Sequence, residues 1–277
     1  SHINRYRVHL VRQNATIEVD ENTYIRGILA AEAGEETEAE ALKAQAIVSR
    51  TYARHNRGRH EKEGYDFCSL THCQRYLDDP AAQGKTQIAG AADSTSGRVL
   101  VDNRDIPADV YFHASCGGIT TDIESVWGQQ SPGYITVHED DYCRTMPHKE
   151  WISKIPAASL SRALSTEERS SVGKLRQIFI QKRDKSGRAQ WLTLEGQKRK
   201  TVRGWDFALI VNRVLGWNQL KSSHFEVRLS GDTFEFRGRG FGHGLGLCQE
   251  GTHVMARRGR RAEDILNTYF PGARIKL

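Results

Sequence analysis

The chain has 277 residues, 38% of them hydrophobic, and carries 40 Lys and Arg against 34 Asp and Glu for a formal charge of +6. That length buries a sizeable core in one large domain or two. No apolar stretch approaches the roughly 20 residues that cross a bilayer, and no charged-then-apolar leader opens the chain, so a soluble globular protein is expected, with any export signal or anchor removed or absent. The positive charge favours an anionic partner. Nucleic acid is argued against, because the basic clusters Lys198–Lys200, Arg257–Arg258 and Arg260–Arg261 are short and lack interleaved aromatics. Solvated surface charge is the plainer reading of those clusters, and Ser1-His2 has the look of a cloning remnant.

In chain order, alternation in Tyr6–Leu10 and Thr16–Val19 around Asn14 predicts a strand pair. An apolar helical run then ends at Glu32. The next helix is predicted to open on a capping box, Thr37-Glu-Ala-Glu40, and to run to about His55. Arg50 falls on its inward stripe with Ala39, Leu42, Ala46 and Ala53. A buried guanidinium needs a carboxylate, and Glu32 is the nearest candidate by chain distance. A structural ion pair is the blander account of the two. Further strands are expected at Gly97–Asp102 and Ala108–Phe112, a helix at Ala157–Leu164, and a hairpin from Leu175–Gln181 to Ala189–Leu194. A second hairpin is expected at Phe225–Leu229 and Thr233–Phe236, then a helix through Ile265, Leu266 and Tyr269 that stops at Pro271-Gly272. The fold class is α+β, with helices and mixed or antiparallel strands around one core. Residues 1–149 plus 223–277 are expected to form that core, and 150–222 an inserted α+β subdomain.

Three segments carry chemistry. Cys68-Ser-Leu-Thr-His72-Cys73, with His60 before it, offers the four-coordinate nitrogen and sulfur shell of a structural zinc, although neighbouring His72 and Cys73 do not easily face one ion. A short-loop disulfide between Cys68 and Cys73 is the alternative. Cys116 and Cys143 form a second pair, as a bridge or as ligands, and Cys248 reads as a small buried side chain. Tyr111-Phe-His-Ala-Ser-Cys-Gly-Gly118 presents His113 and Ser115 before Gly117 and Gly118, whose backbone N–H groups can approach a ligand. Gly238–Gly246 has glycine at every second position around His243, with Gln249 beyond. No Lys-Ser/Thr pair follows, so a phosphate loop is disfavoured and extended backbone pressed against something else is expected.

Taken together, Tyr24-Ile-Arg-Gly-Ile-Leu-Ala-Ala-Glu32, Ala41–Ala46, Arg50-Thr-Tyr-Ala53, Thr71-His-Cys-Gln74, His113-Ala-Ser-Cys-Gly-Gly118, Glu124-Ser-Val-Trp-Gly128, Gly238–Gly246, Gln249 and Tyr269-Phe-Pro-Gly272 resemble the stage II sporulation protein D, or amidase enhancer, family. Glu250 departs from it, standing where the family often has an aromatic. The resemblance implies an exported lytic transglycosylase of the cell envelope or periplasm, membrane-anchored in some full-length forms. Its substrate would be peptidoglycan glycan strands stripped of stem peptides. Glu32 stands at the catalytic glutamate, and a cleft lined by Arg50, Gln74, His113, Ser115, Gly117, Gly118, His243 and Gln249 is expected to bind the strand.

Such chemistry needs one carboxylic acid rather than the two of ordinary glycosidases. Glu32 should therefore have a raised pKa. Arg50 then either contacts substrate or stabilises Glu32 only after proton transfer. Two rival functions are a non-catalytic enhancer of a cell-wall amidase and a zinc hydrolase at Cys68, His72 and Cys73. Two thiolates suit a structural site better than an open catalytic one.

Overall fold

The computed structural model describes residues 4–277, so Ser1-His2 lies outside the described residues. The first stretch forms β1 (Arg5–Leu10), β2 (Ala15–Asp20), α1 (Glu21–Glu32), α2 (Ala39–His55), β3 (Phe67–Cys68), α3 (Pro80–Gln83), α4 (Thr86–Ser94) and β4 (Val99–Val101). Then come β5 (Phe112–His113), α5 (Ile123–Trp127), β6 (Trp151–Pro156), α6 (Ala157–Leu164), β7 (Gln177–Arg183), β8 (Ala189–Glu195), β9 (Arg199–Arg203) and α7 (Gly204–Leu215). The chain continues through β10 (Phe225–Ser230), β11 (Thr233–Gly238), β12 (Leu247–Cys248), α8 (Gln249–Arg257), α9 (Ala262–Tyr269) and β13 (Arg274–Lys276). The fold class is α+β. Among the described residues no helix is long and apolar enough to cross a membrane.

The chain divides into two compact units, one reaching to Tyr111 and resuming at Thr252–Leu277, the other Phe112–Gly251. In the first unit β1 pairs antiparallel with β2 and parallel with β3. Asn14, at φ 49°, makes the turn between β1 and β2, a backbone region that asparagine tolerates better than most residues. Tyr6, Val8 and Leu10 face inward at strand period and pack with Tyr24, Ile25, Ile28 and Leu29 of α1 and Leu42, Ala46 and Ala53 of α2. Asp20 caps α1 by accepting the Thr23 N–H at 3.0 Å.

The capping box expected at Thr37–Glu40 does not form. Glu36 accepts the Thr37 and Glu38 N–H groups at 2.8 Å each. Glu40 instead takes the Lys43 ammonium at 2.7 Å and the Ala262 N–H at the start of α9 at 2.8 Å. A charged partner and a distant helix end outbid the local cap.

In the second unit, β10, β11 and β6 form one antiparallel sheet and β7, β8 and β9 another. One core joins Trp151, Ile155, Leu160, Leu192, Leu194, Phe207, Phe225, Phe234 and Phe236. The hairpin of β10 and β11 is paired with β6. It therefore belongs with the 150–222 segment rather than with the N-terminal strands, and the unit boundaries fall at 111/112 and 251/252. Nothing in the sequence reading had singled out β9 or α7.

The strand expected over Ala108–Phe112 is reduced to Phe112–His113, paired parallel to Leu247–Cys248. Pro107 makes only an isolated bridge to Val101, since proline has no N–H to extend a ladder.

Candidate active site

Glu32 closes α1, and the position of its carboxylate is set by a glycine one helical stretch earlier. A Cβ on Gly27 would come within 2.1 Å of the Tyr76 ring. Only glycine lets that ring lie against the helix, with the Leu77 N–H donating to the Gly27 carbonyl at 3.1 Å. The same contact lays residues 74–77 along the end of α1. There the Arg75 N–H donates to Glu32 Oε1 at 2.8 Å, and Arg75 Nη1 lies 3.9 Å from Oε2.

The Glu32 side chain is 14% exposed. Burial pushes its pKa above the ordinary glutamate value, outweighing the Arg75 N–H and the Arg75 charge, which pull it down. The carbonyl end of a helix also disfavours an anion. Gln74 is buried beside this segment: Nε2 donates to the Ser49 carbonyl at 3.1 Å, and Oε1 has no hydrogen-bond partner.

Arg50 corrects the expectation from the sequence. Its partner is Glu21, at the other end of α1, with Nε 3.4 Å from Oε2. Its remaining donors go to the carbonyls of Thr95 at 2.7 Å, Ala92 at 3.1 Å and Arg98 at 3.3 Å, and to Asn22 Oδ1 at 3.4 Å. With no surface exposed, Arg50 has no room for a glycan. Burial lowers its pKa to about 10, although Glu21 pulls the other way. Glu21 also accepts two 2.8 Å bonds from Arg54 and one of 3.0 Å from Tyr6. These hold its carboxyl below the ordinary range despite the opposing effect of burial.

The second unit gathers the other expected residues. His113 is buried, and its Nδ1–H donates to the Leu245 carbonyl at 2.9 Å. That bond leaves Nε2 as an acceptor without a partner. Burial, followed by neighbouring His243, keeps the His113 ring neutral by driving its pKa well down. The His243 ring lies 5.7 Å from His113, 5.9 Å from Trp127 and 6.1 Å from Trp205. His243 Nδ1 accepts the Leu245 N–H at 3.0 Å, and burial lowers its pKa to about 4.

Ser115, Gly117 and Gly118 are buried and serve the loop itself. Ser115 and Phe241 exchange backbone bonds of 3.0 and 2.8 Å. The Gly117 N–H donates to Ser115 Oγ at 3.4 Å, and the Gly118 N–H to Cys143 Sγ at 3.1 Å. A Cβ on Gly117 would meet Gly240 N at 2.7 Å, and one on Gly240 would meet the Ser115 carbonyl at 2.9 Å. The two glycine-rich loops thus interlock backbone to backbone, and their glycines are needed for that packing rather than for ligand approach. Gln249 is half-buried at the start of α8.

Sequence reasoning had not assigned site roles to Arg75, Trp127 or Trp205. Trp127 lay inside the quoted Glu124–Gly128 motif, but nothing local marked Arg75 or Trp205.

All five cysteines are free and buried. His60, Cys68, His72 and Cys73 bring their ligand atoms within 4.8 Å of one another. The two sulfurs are 3.7 Å apart, close to the about 3.8 Å edge of a tetrahedron with about 2.3 Å zinc–sulfur bonds. His72 Nδ1 reaches to 3.9 Å from Cys73 Sγ, so adjacency does not keep these neighbours apart. His60 Nε2 is buried without a partner, while Nδ1 sits 3.4 Å from Glu63, the kind of outer carboxylate that orients a ligating imidazole. The donor set fits a structural zinc. Cys116 and Cys143 also meet, at 3.1 Å between sulfurs.

Residues 11–101 match the family described as Stage II sporulation protein, and residues 134–246 match a domain of unknown function. Over 267 residues the chain is 27% identical to stage II sporulation protein D of Bacillus subtilis (strain 168), covering 91% of this chain and 73% of that one. An uncharacterized protein of Brachyspira hyodysenteriae (strain ATCC 49526 / WA1) is 28% identical over 264 residues, covering 93% of this chain and 67% of its own length. The amidase enhancer of Bacillus subtilis (strain 168) is 23% identical over 292 residues, covering 91% of this chain and 40% of that protein.

Proposed function

We propose, from the premise that this chain belongs to the stage II sporulation protein D family, that it is a lytic transglycosylase acting outside the cytoplasm on glycan strands stripped of stem peptides. The observation that carries this reading is Glu32, a carboxyl at a helix end whose burial favours the protonated form. In the reaction Glu32 gives its proton to the oxygen joining MurNAc to GlcNAc, and the bond from that oxygen to the MurNAc C1 breaks. The resulting carboxylate takes the proton of the MurNAc 6-hydroxyl, whose oxygen bonds to C1 and closes a 1,6-anhydro ring. No water is consumed, and Glu32 ends protonated as it began.

Arg75 suits the carboxylate half of this cycle. Its N–H and its guanidinium both face Glu32, and at 3.9 Å the cation eases ionisation without forming a tight pair. In the second unit the acceptor at His113 Nε2, with Trp127 and Trp205 around His243, offers sugar hydroxyls a partner and sugar rings an apolar face. The +6 charge suits a strand whose lactyl carboxylates have been uncovered. Zinc held by His60, Cys68, His72 and Cys73 would tie down the loop that leads directly into Gln74 and Arg75.

A second reading rests on the relative named amidase enhancer: the chain binds the strand and stimulates a cell-wall amidase without cutting. Incubating the protein alone with denuded strands separates the two. Anhydro-ended products in the mass spectrum, reduced at least about 100-fold by Glu32→Gln, support the transglycosylase. Strand binding with no such products, and faster amidase action when both are present, would establish the enhancer instead.

A further inference from the structure

Three cysteines remote in sequence and one aspartate meet inside the second unit. Cys116, Asp140, Cys143 and Cys248 are all buried, with ligand atoms within 4.8 Å of one another. Cys116 Sγ lies 3.1 Å from Cys143 Sγ and 3.3 Å from Asp140 Oδ2. We propose that these four side chains form a second metal site, a tetrahedral pocket for zinc with three thiolate ligands and one carboxylate, distinct from the His60, Cys68, His72 and Cys73 set.

The surroundings are built for thiolates. The Cys116 N–H donates to Cys248 Sγ at 3.2 Å, the Gly251 N–H to the same sulfur at 3.3 Å, and the Gly118 N–H to Cys143 Sγ at 3.1 Å. Such bonds from backbone to sulfur are weak for a neutral thiol and stronger for a thiolate. Cys248 also precedes α8 directly, so the Gly251 bond makes its sulfur the cap of that helix, where the dipole favours negative charge. Asp140 is oriented in turn: the Tyr142 N–H donates to Oδ1 at 3.1 Å, leaving Oδ2 toward Cys116.

A disulfide joining Cys116 to Cys143 would use neither the Cys248 sulfur, on which two backbone N–H groups converge, nor the buried Asp140 carboxylate that Cys116 Sγ faces, whereas a metal uses all four. Three thiolates and a carboxylate around a divalent cation leave a residual −2. A fully buried cation stands at the rim: Arg188 donates to the Cys116 carbonyl and to the Ile119 carbonyl at 2.9 Å each, and to Ser186 Oγ at 2.8 Å. The three thiol protons leave to solvent as the metal enters. The Cys116–Cys143 edge would open by about 0.7 Å to reach the tetrahedral value near 3.8 Å.

Such an ion would pin together the His113–Gly118 loop, the turn at Asp140–Cys143 and the end of the Gly238–Gly246 loop. These are the segments that hold His113 and His243.

The test removes the first site and counts metal. In a Cys68→Ser, Cys73→Ser double variant purified with zinc, elemental analysis should give one zinc per chain, and cobalt substitution should give the intense thiolate-to-cobalt absorption of a tetrahedral sulfur-rich site. Adding Cys143→Ser should abolish both. Asp140→Asn, which keeps every thiol, should weaken zinc binding by more than about tenfold and shift the cobalt spectrum. A metal-free double variant with three titratable thiols, or one lighter by two hydrogens with a Cys116–Cys143 linked peptide, would overturn the site. Zinc affinity unchanged by Asp140→Asn would overturn the four-ligand assignment. In the unsubstituted chain the count should be two, so loss of the first site alone lowers it by one and leaves the cobalt test intact.

Discussion

Helix α1 carries a glutamate at each end, Glu21 buried and Glu32 partly buried, and the two have opposite electrostatic fates. Glu21, in the first turn, receives Arg54, Arg50 and the Tyr6 hydroxyl, and its carboxyl is held low. Glu32, in the last turn, receives the Arg75 N–H with the Arg75 guanidinium at 3.9 Å, and its carboxyl is pushed up. Both are desolvated, so burial alone does not fix the protonation state. What separates them is the closeness of the guanidinium partners, reinforced by a helix dipole that welcomes an anion at the first end and repels one at the second. One end of the helix holds a charge, and the other favours the protonated carboxyl that the proposed reaction starts from.

The largest effect is expected from breaking the charged end. Arg50→Met should cost about 3–5 kcal/mol by denaturant unfolding, because Glu21 keeps its burial and loses a cation, while the Thr95, Ala92 and Arg98 carbonyls lose their donors. Arg50→Lys should recover only part of that, since an ammonium cannot span the same set of partners.

Glu21→Gln should cost about 1.5–3 kcal/mol at neutral pH, and here the pH dependence gives the sharper reading. A depressed carboxyl contributes stability that is present above the ordinary glutamate value and is lost as pH falls through the folded value. The penalty of the substitution should therefore fade in acid. Glu32→Gln should behave in the opposite sense. A raised carboxyl favours the fold fully below the ordinary value and loses that contribution as pH rises through the folded value. The variant should thus melt at or slightly above the wild-type temperature at neutral pH and gain nothing in acid.

The smallest expected effect is from Arg75→Ala. Removing an exposed cation lets the Glu32 pKa rise further, so the limb on which the proposed cleavage falls with increasing pH should move upward. Movement downward would mean that Arg75 does not act on Glu32 through its charge.

Much of the scaffold was legible because its patterns are local. Strand alternation marked β1 and β2, helical spacing marked α2, and turn residues marked both later hairpins. Arg50 was read correctly as pointing inward and given the wrong partner. Chain distance favoured Glu32, but the fold sets the end of α2 against the start of α1, and α1 spans about 16 Å between its two glutamates. The hairpin of helices reverses the order that sequence proximity suggests. Arg75 as the group on Glu32 was hidden for a related reason, since it depends on Tyr76 lying against Gly27. Cys248 looked like an isolated small side chain because its neighbours, Cys116 and Asp140, come from far upstream.

The contrast between the two ends of α1 is tested most directly by carbon-detected NMR titration of the glutamate side-chain carboxyls, with Glu21→Gln and Glu32→Gln spectra assigning the two resonances. The account predicts that Glu32 titrates above the ordinary glutamate value, which is about 4.3, and Glu21 below it, in the same sample. A Glu32 carboxyl that titrates at or below the ordinary value would contradict it, leaving the helix end without the proton that the proposed cleavage requires.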